Sequence, residues 1–71
     1  MEQVTAKIRA LLSIAGKRQI DLMEPLNMGS KQSLSNKFQN ERWSADDLLV
    51  VAQECGARLA FILPDGNVIY F

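Results

Sequence analysis

The sequence contains no histidine and only one cysteine, Cys55. A zinc site built from imidazole and thiolate ligands is therefore excluded, and so is a serine-histidine-aspartate triad. Because a lone cysteine cannot form a disulfide within the chain, a reducing, cytoplasmic compartment is favoured. Catalysis would have to rest on carboxylates, lysine or tyrosine, and no acid, base and nucleophile are clustered. We therefore expect no enzyme, no catalytic residues, no metal and no cofactor.

Long apolar runs are also missing. The longest, residues 48–52 and 59–64, fall far short of the roughly 20 residues that cross a bilayer. The first four residues lack the basic and apolar regions of a secretory signal. With 48% hydrophobic and 23% charged residues, the chain is expected to form one soluble domain over residues 1–71, with no membrane association and marginal stability of its own.

The chain also has no net charge at pH 7, which counts against binding nucleic acid through bulk charge. The distribution is nevertheless uneven. In residues 43–71, four acidic residues against Arg58 sum to −3, whereas residues 1–42 carry the balancing positive excess. This asymmetry fits a domain that turns one moderately basic face towards phosphate and has an acidic C-terminal third.

Apolar residues recur at the spacing of one helical face in four segments. The predicted helices span about residues 2–15, 18–26, 30–38 and 44–55. Gly16 and Asn27 can take the left-handed conformation that ends the first and second helices. Ser30 and Ser44 are good N-caps for the third and fourth. Pro25 removes a backbone amide from the last turn of the second helix.

The chain changes character after residue 56. Strand-like runs at 58–63 and 68–71 flank a Pro-Asp-Gly-Asn turn, which predicts a β-hairpin over about residues 57–71 with Gly66 in a left-handed conformation. Both faces of this hairpin are largely apolar. One face can cover the helices, and the other face or the free edge then needs a partner, most simply a second copy of the chain. The predicted dimer-interface residues are Leu59, Phe61, Ile62, Ile69, Tyr70 and Phe71.

Two short helices joined by a tight turn, between two others, define a helix-turn-helix arrangement. Three segments, Gln19-Ile20-Asp21-Leu22, Lys31-Gln32-Ser33-Leu34-Ser35-Asn36-Lys37-Phe38 and Trp43-Ser44-Ala45-Asp46-Asp47-Leu48, resemble small bacterial and phage repressors of the Cro/Xre type. The resemblance covers about residues 4–63. It implies a mainly α, lambda-repressor-like helix-turn-helix domain of four or five helices, to which the hairpin is added. It also implies operator DNA as the ligand, no cofactor and usually a dimer on a pseudo-palindromic site.

The segment 30–38 is the predicted recognition helix. Leu34 and Phe38 are four residues apart and are expected to anchor one face in the core, which leaves the opposite face outward. Glutamine and asparagine on that face can each pair with two atoms of adenine, although any exposed helix can show a polar surface. The predicted base contacts are Lys31, Gln32, Ser33, Asn36 and Lys37.

Phosphate contacts are predicted on either side of this helix. The resemblance implies that Gln19 touches a phosphate and braces Gln32. Arg42 and Trp43 follow the helix, where guanidinium and indole N–H groups can donate to phosphate. Trp43 has an equally good interpretation as a hydrophobic staple packed on the last helix. The predicted phosphate contacts are Lys17, Arg18, Gln19, Arg42 and Trp43.

These patterns predict a sequence-specific transcriptional regulator, a dimeric repressor that reads the major groove of double-stranded DNA. Two half-sites about one helical turn apart would suit such a dimer. The alternative is a protein-interaction module, such as an antitoxin or co-regulator, that keeps the fold but binds a protein through the hairpin edge and the acidic C-terminal third. The neutral net charge favours this alternative. No small-molecule ligand is indicated.

Overall fold

A computed structural model describes residues 3–71, so residue 2, where the first helix is predicted to begin, lies outside the described residues. The described chain is mainly helical and ends in a two-stranded antiparallel hairpin, as predicted. Its elements are helix α1 (Val4–Ala15), a 3-10 helix (Gln19–Leu22), helices α2 (Lys31–Gln39) and α3 (Ala45–Glu54), and strands β1 (Ala60–Ile62) and β2 (Val68–Tyr70).

The helix ends follow local residue chemistry. Gly16 ends α1 with φ 70°, in the left-handed region that favours glycine. The Ser30 hydroxyl accepts a hydrogen bond from the Ser33 N–H at 3.2 Å, and the Ser44 hydroxyl accepts one from the Asp47 N–H at 3.1 Å. Each bond satisfies a backbone donor in the first turn of a helix. The predicted end of α1 and the predicted caps of α2 and α3 are therefore confirmed.

The predicted second helix, residues 18–26, is wrong in type and length. A 3-10 helix covers Gln19–Leu22, and residues 23–27 form turns. Pro25 has no N–H to donate to the Asp21 carbonyl, so an α-helix through this segment would lack one bond of its ladder. Residues 3–71 thus contain three α-helices, and the expected four- or five-helix repressor-like core is not confirmed.

Backbone hydrogen bonds and one left-handed residue define the turns after the 3-10 helix. Asn27 adopts φ 60°, the left-handed conformation predicted for it. The Met28 N–H donates to the Met23 carbonyl at 2.8 Å, and the Leu26 N–H donates to the Leu22 carbonyl at 3.0 Å. These two hydrogen bonds pair backbone N–H and carbonyl groups that a longer helix would have paired within itself. The chain then enters α2.

The core lies where the three α-helices and the 3-10 helix meet. Leu34 and Phe38 fix the inner face of α2, as predicted, and Phe38 is 1% exposed. Leu22 is equally buried, so the short 3-10 helix still supplies a core anchor. The buried apolar residues are Ile8, Leu12, Leu22, Leu34, Phe38, Val51 and Ala52.

A polar junction joins the start of α1 to the end of α2. The fully buried Thr5 hydroxyl donates to the Phe38 carbonyl at 3.0 Å and accepts from the Trp43 indole N–H at 2.9 Å. The Glu41 carboxylate accepts from the Val4 and Thr5 N–H groups at 3.2 and 3.1 Å. Desolvation raises the pKa of Glu41, and these bonds lower it by more, so the pKa lies below its ordinary value. The junction therefore fixes α2 against α1.

The hairpin contributes little to this core. Phe61 pairs with Ile69 across the strands, and Gly66 in the turn has φ 93°, as predicted. Among residues 3–71, nine large apolar side chains are exposed, and seven of them lie between Phe61 and Phe71. Both faces of the hairpin remain exposed, so the expectation that one face covers the helices is wrong. Three-residue strands offer too little contact to bury themselves.

Candidate nucleic-acid interface

The outer surface of α2 is rich in amide and hydroxyl groups. Gln32 and Asn36 are exposed and one turn apart, and Gln32 Nε2 donates to Asn36 Oδ1 at 3.2 Å. The Ser33 hydroxyl is 3.1 Å from the Ser30 hydroxyl at the N-cap. Each amide carries two donors and an acceptor, so the Gln32–Asn36 bond leaves polar groups on both side chains that can face a base edge.

Gln39 belongs to the same surface and was missed by the sequence-based prediction. It lies seven residues after Gln32 and three after Asn36, which places it on the same side of the helix. It is exposed, and α2 includes it as the last helical residue. The signal was present in the i, i+4, i+7 spacing of the three amides, but the predicted helix ended one residue too early.

Lys37 does not face outward, so the expectation that its side chain lies on the outer face of α2 is wrong, while the base contact predicted for it stays a prediction. Its Nζ lies 2.7 Å from Asp47 Oδ2 and donates to the Arg42 carbonyl at 2.9 Å, and the side chain is only 16% exposed. The ammonium also lies 5.5 Å from the centre of the Trp43 ring. Lys37 therefore joins α2 to α3 and to the connection between them.

The charge of Lys37 is balanced within the protein. Burial raises the pKa of Asp47, but the hydrogen bonds from Lys37 and from the Ser44 N–H lower it by more, so this pKa lies below its ordinary value. Asp47 is thus ionised at neutral pH and forms a charge-assisted bond with Lys37. The pair contributes structure to α2 and little net charge to its outer surface.

Trp43 also points inward, and the indole N–H that was expected to donate to a phosphate is engaged within the protein. Its indole N–H donates to Thr5 within the polar junction. Its ring packs edge-to-face on Phe38, with 4.9 Å between ring centres. An indole has one donor only, so this group has no second N–H for a phosphate. These packing contacts are made with α2 and α1, whereas the staple interpretation placed the Trp43 ring on the last helix.

The cations before the 3-10 helix are exposed. Arg18 lies 3.4 Å from Asp21, with 79% of its side chain exposed, and its backbone N–H donates to the same carboxylate at 2.8 Å. That backbone bond lowers the pKa of Asp21, and the nearby charges of Arg18 and Lys17 lower it further. Such an exposed ion pair is weak, so the Arg18 guanidinium can exchange Asp21 for another anion.

Exposed cations also lie near both ends of α2. Lys31 is its first residue, and Arg42 follows its C-terminal end by three residues. Gln19, at the start of the 3-10 helix, is exposed as well, but among residues 3–71 no hydrogen bond joins it to Gln32, whose amide instead donates to Asn36. The brace that the resemblance implies is therefore not formed in this structure.

Two other features, a metal-binding cluster and a membrane-spanning helix, are not found in the described part of the chain. Residues 3–71 contain no group of three or more cysteine, aspartate or glutamate side chains placed to hold a metal ion. None of the helices in this range has the length and apolar character needed to cross a membrane.

The chain matches no model of a known protein family, no curated protein and no solved structure. The resemblance to Cro/Xre-type repressors stays a prediction that rests on the three segments quoted above. The exposed amide face of α2 lies between two exposed cations, Lys31 and Arg42.

Proposed function

We propose that this protein binds double-stranded DNA in a sequence-specific manner, as a dimeric transcriptional repressor that inserts α2 into the major groove. The observation that carries the proposal is the exposed stripe formed by Gln32, Asn36 and Gln39 on a helix whose opposite face is buried through Leu34 and Phe38. A helix with its side chains is about 10–12 Å wide and the major groove is about 12 Å wide, so the two shapes match.

The amide groups suit direct reading of bases. A glutamine or asparagine amide can donate to adenine N7 and accept from the adenine N6 amino group, which distinguishes adenine from the other bases. Such readout needs a helix that is held firmly. The Ser30 cap fixes the start of α2, and the Lys37–Asp47 bond fixes its later part to α3. Lys31 and Ser33 complete the proposed base-reading set.

Exposed residues outside the amide stripe contact the DNA phosphates in this arrangement. These contacts orient the protein on the duplex and carry little sequence information. Because the whole chain is neutral, non-specific attraction is weak, and base contacts must supply most of the discrimination. The proposed phosphate contacts are Lys17, Arg18, Gln19 and Arg42.

Selection of bound sequences from a random DNA pool, followed by fluorescence anisotropy, tests the proposal. We expect Gln32→Ala to weaken binding by about 1–3 kcal/mol and to relax preference at one base pair. Arg42→Ala should weaken binding to all sequences alike and reduce the salt slope by about one. Gln53→Ala, at an exposed glutamine of α3, is the matched control and should leave binding unchanged. No enrichment of any sequence by folded protein would contradict the proposal.

A second candidate is a protein-interaction module, such as an antitoxin or co-regulator. The exposed hairpin favours it, because it offers apolar surface to a protein partner. The pairing of Lys37 with Asp47 also favours it, because it removes a free cation from the outer surface of α2. The salt dependence of DNA binding separates the two candidates. If the protein contacts phosphates, the logarithm of its DNA affinity falls linearly with the logarithm of salt concentration. A protein-interaction module forms no specific DNA complex, so no such dependence can be measured.

A further inference from the structure

An apolar cleft opens between α1, α3 and the base of the hairpin. Its volume is about 420 Å³, within the range of cavities that enclose several apolar groups. Val4 and Leu11 line it from α1, Leu48 lines it from α3, and Leu59 lines it where the hairpin begins. All four side chains are only half-buried. The cleft therefore offers apolar surface that the single chain does not cover.

The same apolar surface continues along one face of the hairpin. Side chains alternate between the two faces of a strand, so Phe61 shares the face of Leu59. The register places Ile69 opposite Phe61, and the Phe71 N–H bonds the Leu59 carbonyl at 2.9 Å, which brings Phe71 to this face as well. The Phe61 and Phe71 ring centres are 5.1 Å apart. The cleft and this hairpin face thus form one continuous surface joined at Leu59.

The exposed apolar side chains of this surface supply a substantial part of the area that a stable interface buries. Phe61, Ile69 and Phe71 are 62%, 56% and 55% exposed. An aromatic side chain buries about 150–250 Å² when fully covered, so Phe61 and Phe71 alone leave roughly 200 Å² of apolar area, to which Ile69 adds. The cleft walls and the adjoining Leu63 extend it towards the roughly 800 Å² per partner of a standard protein interface.

We propose that the hairpin face of one copy fills the α1–α3 cleft of a second copy, and that the second hairpin fills the first cleft in return. This inference rests on the dimer proposed above, but not on DNA as the ligand. Such a reciprocal exchange has two-fold symmetry, since each copy offers the same hairpin face and the same cleft to the other. Each copy then covers apolar side chains that neither copy covers by itself.

Charge supports a second copy as the occupant. Between residues 59 and 71, Asp65 at the hairpin tip is the single charged side chain. Lys7 and Arg58 border the cleft, so the entering hairpin brings an acidic tip to a basic rim. Opposite charges across an interface favour the correct partner and orientation.

Two isoleucines of the hairpin provide a matched test by sedimentation of the full chain. Ile69 lies on the face continuous with the cleft, and Ile62 lies on the other face and is 78% exposed. We expect Ile69→Lys to weaken dimerisation by about 100-fold and Ile62→Lys to change it by less than about threefold. Equal effects of the two substitutions, or a wild-type monomer at high micromolar concentration, would overturn the inference.

Isotope-filtered NMR on a dimer mixed from labelled and unlabelled chains locates the contact directly. We expect cross-peaks between the Phe61 and Phe71 rings of one copy and the Leu11 and Leu48 methyl groups of the other. Cross-peaks between the two hairpins alone would overturn the docking but leave the dimer intact. DNA selection, performed separately, decides the ligand, so failure of the docking and failure of the DNA proposal give different results.

Discussion

The burial of apolar side chains differs between the helical part, residues 3–57, and the hairpin, residues 58–71. Nine of the fourteen hairpin residues are hydrophobic, against 48% of the whole chain. Yet every buried core residue belongs to the helical part, and most exposed large apolar residues belong to the hairpin. Hydrophobicity drives burial only where another element supplies the covering surface. The helical part supplies that surface itself, whereas the hairpin requires it from outside.

The largest effect is expected at the centre of the helical part. Phe38→Ala should lower the free energy of unfolding by about 3–5 kcal/mol, because it empties a fully buried site. Phe61→Ala, the hairpin counterpart, should change it by less than about 0.5 kcal/mol at concentrations where the chain is monomeric. Urea denaturation followed by circular dichroism measures both. Similar losses in the two variants would break the contrast between the regions.

A smaller effect is expected at the polar junction. Thr5→Val keeps the shape of the side chain but removes the acceptor of the Trp43 N–H and a donor to the Phe38 carbonyl, which should cost about 1–3 kcal/mol. Trp43→Phe should cost less in this background than in the wild-type protein, since one of the paired groups is already gone. Additive losses in the double-mutant cycle would show that the Thr5–Trp43 bond contributes no stability.

The Lys37–Asp47 bond should add a pH-dependent contribution of about 0.5–1 kcal/mol. The pKa of Asp47 is lowered in the folded protein, so this contribution is complete above the unfolded value of about 3.9 and is lost as pH falls through the folded value. Asp47→Asn should remove it at pH 7, whereas Asp46→Asn, the exposed neighbour in the same helical turn, should not. Thermal melts at pH 7 and pH 3 test this, and equal pH dependence in both variants would contradict it.

The smallest effect is expected on the outer face of the hairpin. Ile62→Ser removes an apolar side chain that is 78% exposed, so the free energy of unfolding should change by no more than about 0.5 kcal/mol. Hydrogen exchange of the β1 and β2 amides is the more sensitive measurement, and we expect it to be faster than exchange in α1 for both proteins. Equal protection of hairpin and core amides would remove the distinction between the regions.

Features determined by neighbouring residues could be predicted from the sequence. Gly16 and Asn27 adopt left-handed conformations, and Ser30 and Ser44 cap helices, because each acts on backbone groups within a few positions of itself. The inner face of α2 was predictable for the same reason. The second helix was not, since Pro25 indicated a disturbed last turn but gave no measure of how much helix would be lost.

Features determined by distant residues could not be predicted. Lys37 has the spacing of an outward residue, and its inward course depends on Asp47, ten positions away. Trp43 likewise depends on Thr5, which is 38 positions away. For the candidate DNA surface, helical spacing therefore identified Gln32 and Asn36 correctly as exposed side chains, but it could not tell that two of the proposed contacts were engaged elsewhere.

The placement of Trp43 also has a spectroscopic consequence. It is the only tryptophan of the chain and lies at the junction of α1 and α2, whereas the only tyrosine, Tyr70, lies on the hairpin with Arg58 stacked 4.0 Å from its ring centre. The two regions thus carry different intrinsic chromophores. Tryptophan emission follows the helical part, tyrosine absorbance follows the hairpin, and both signals can be recorded on the unlabelled, unmodified chain.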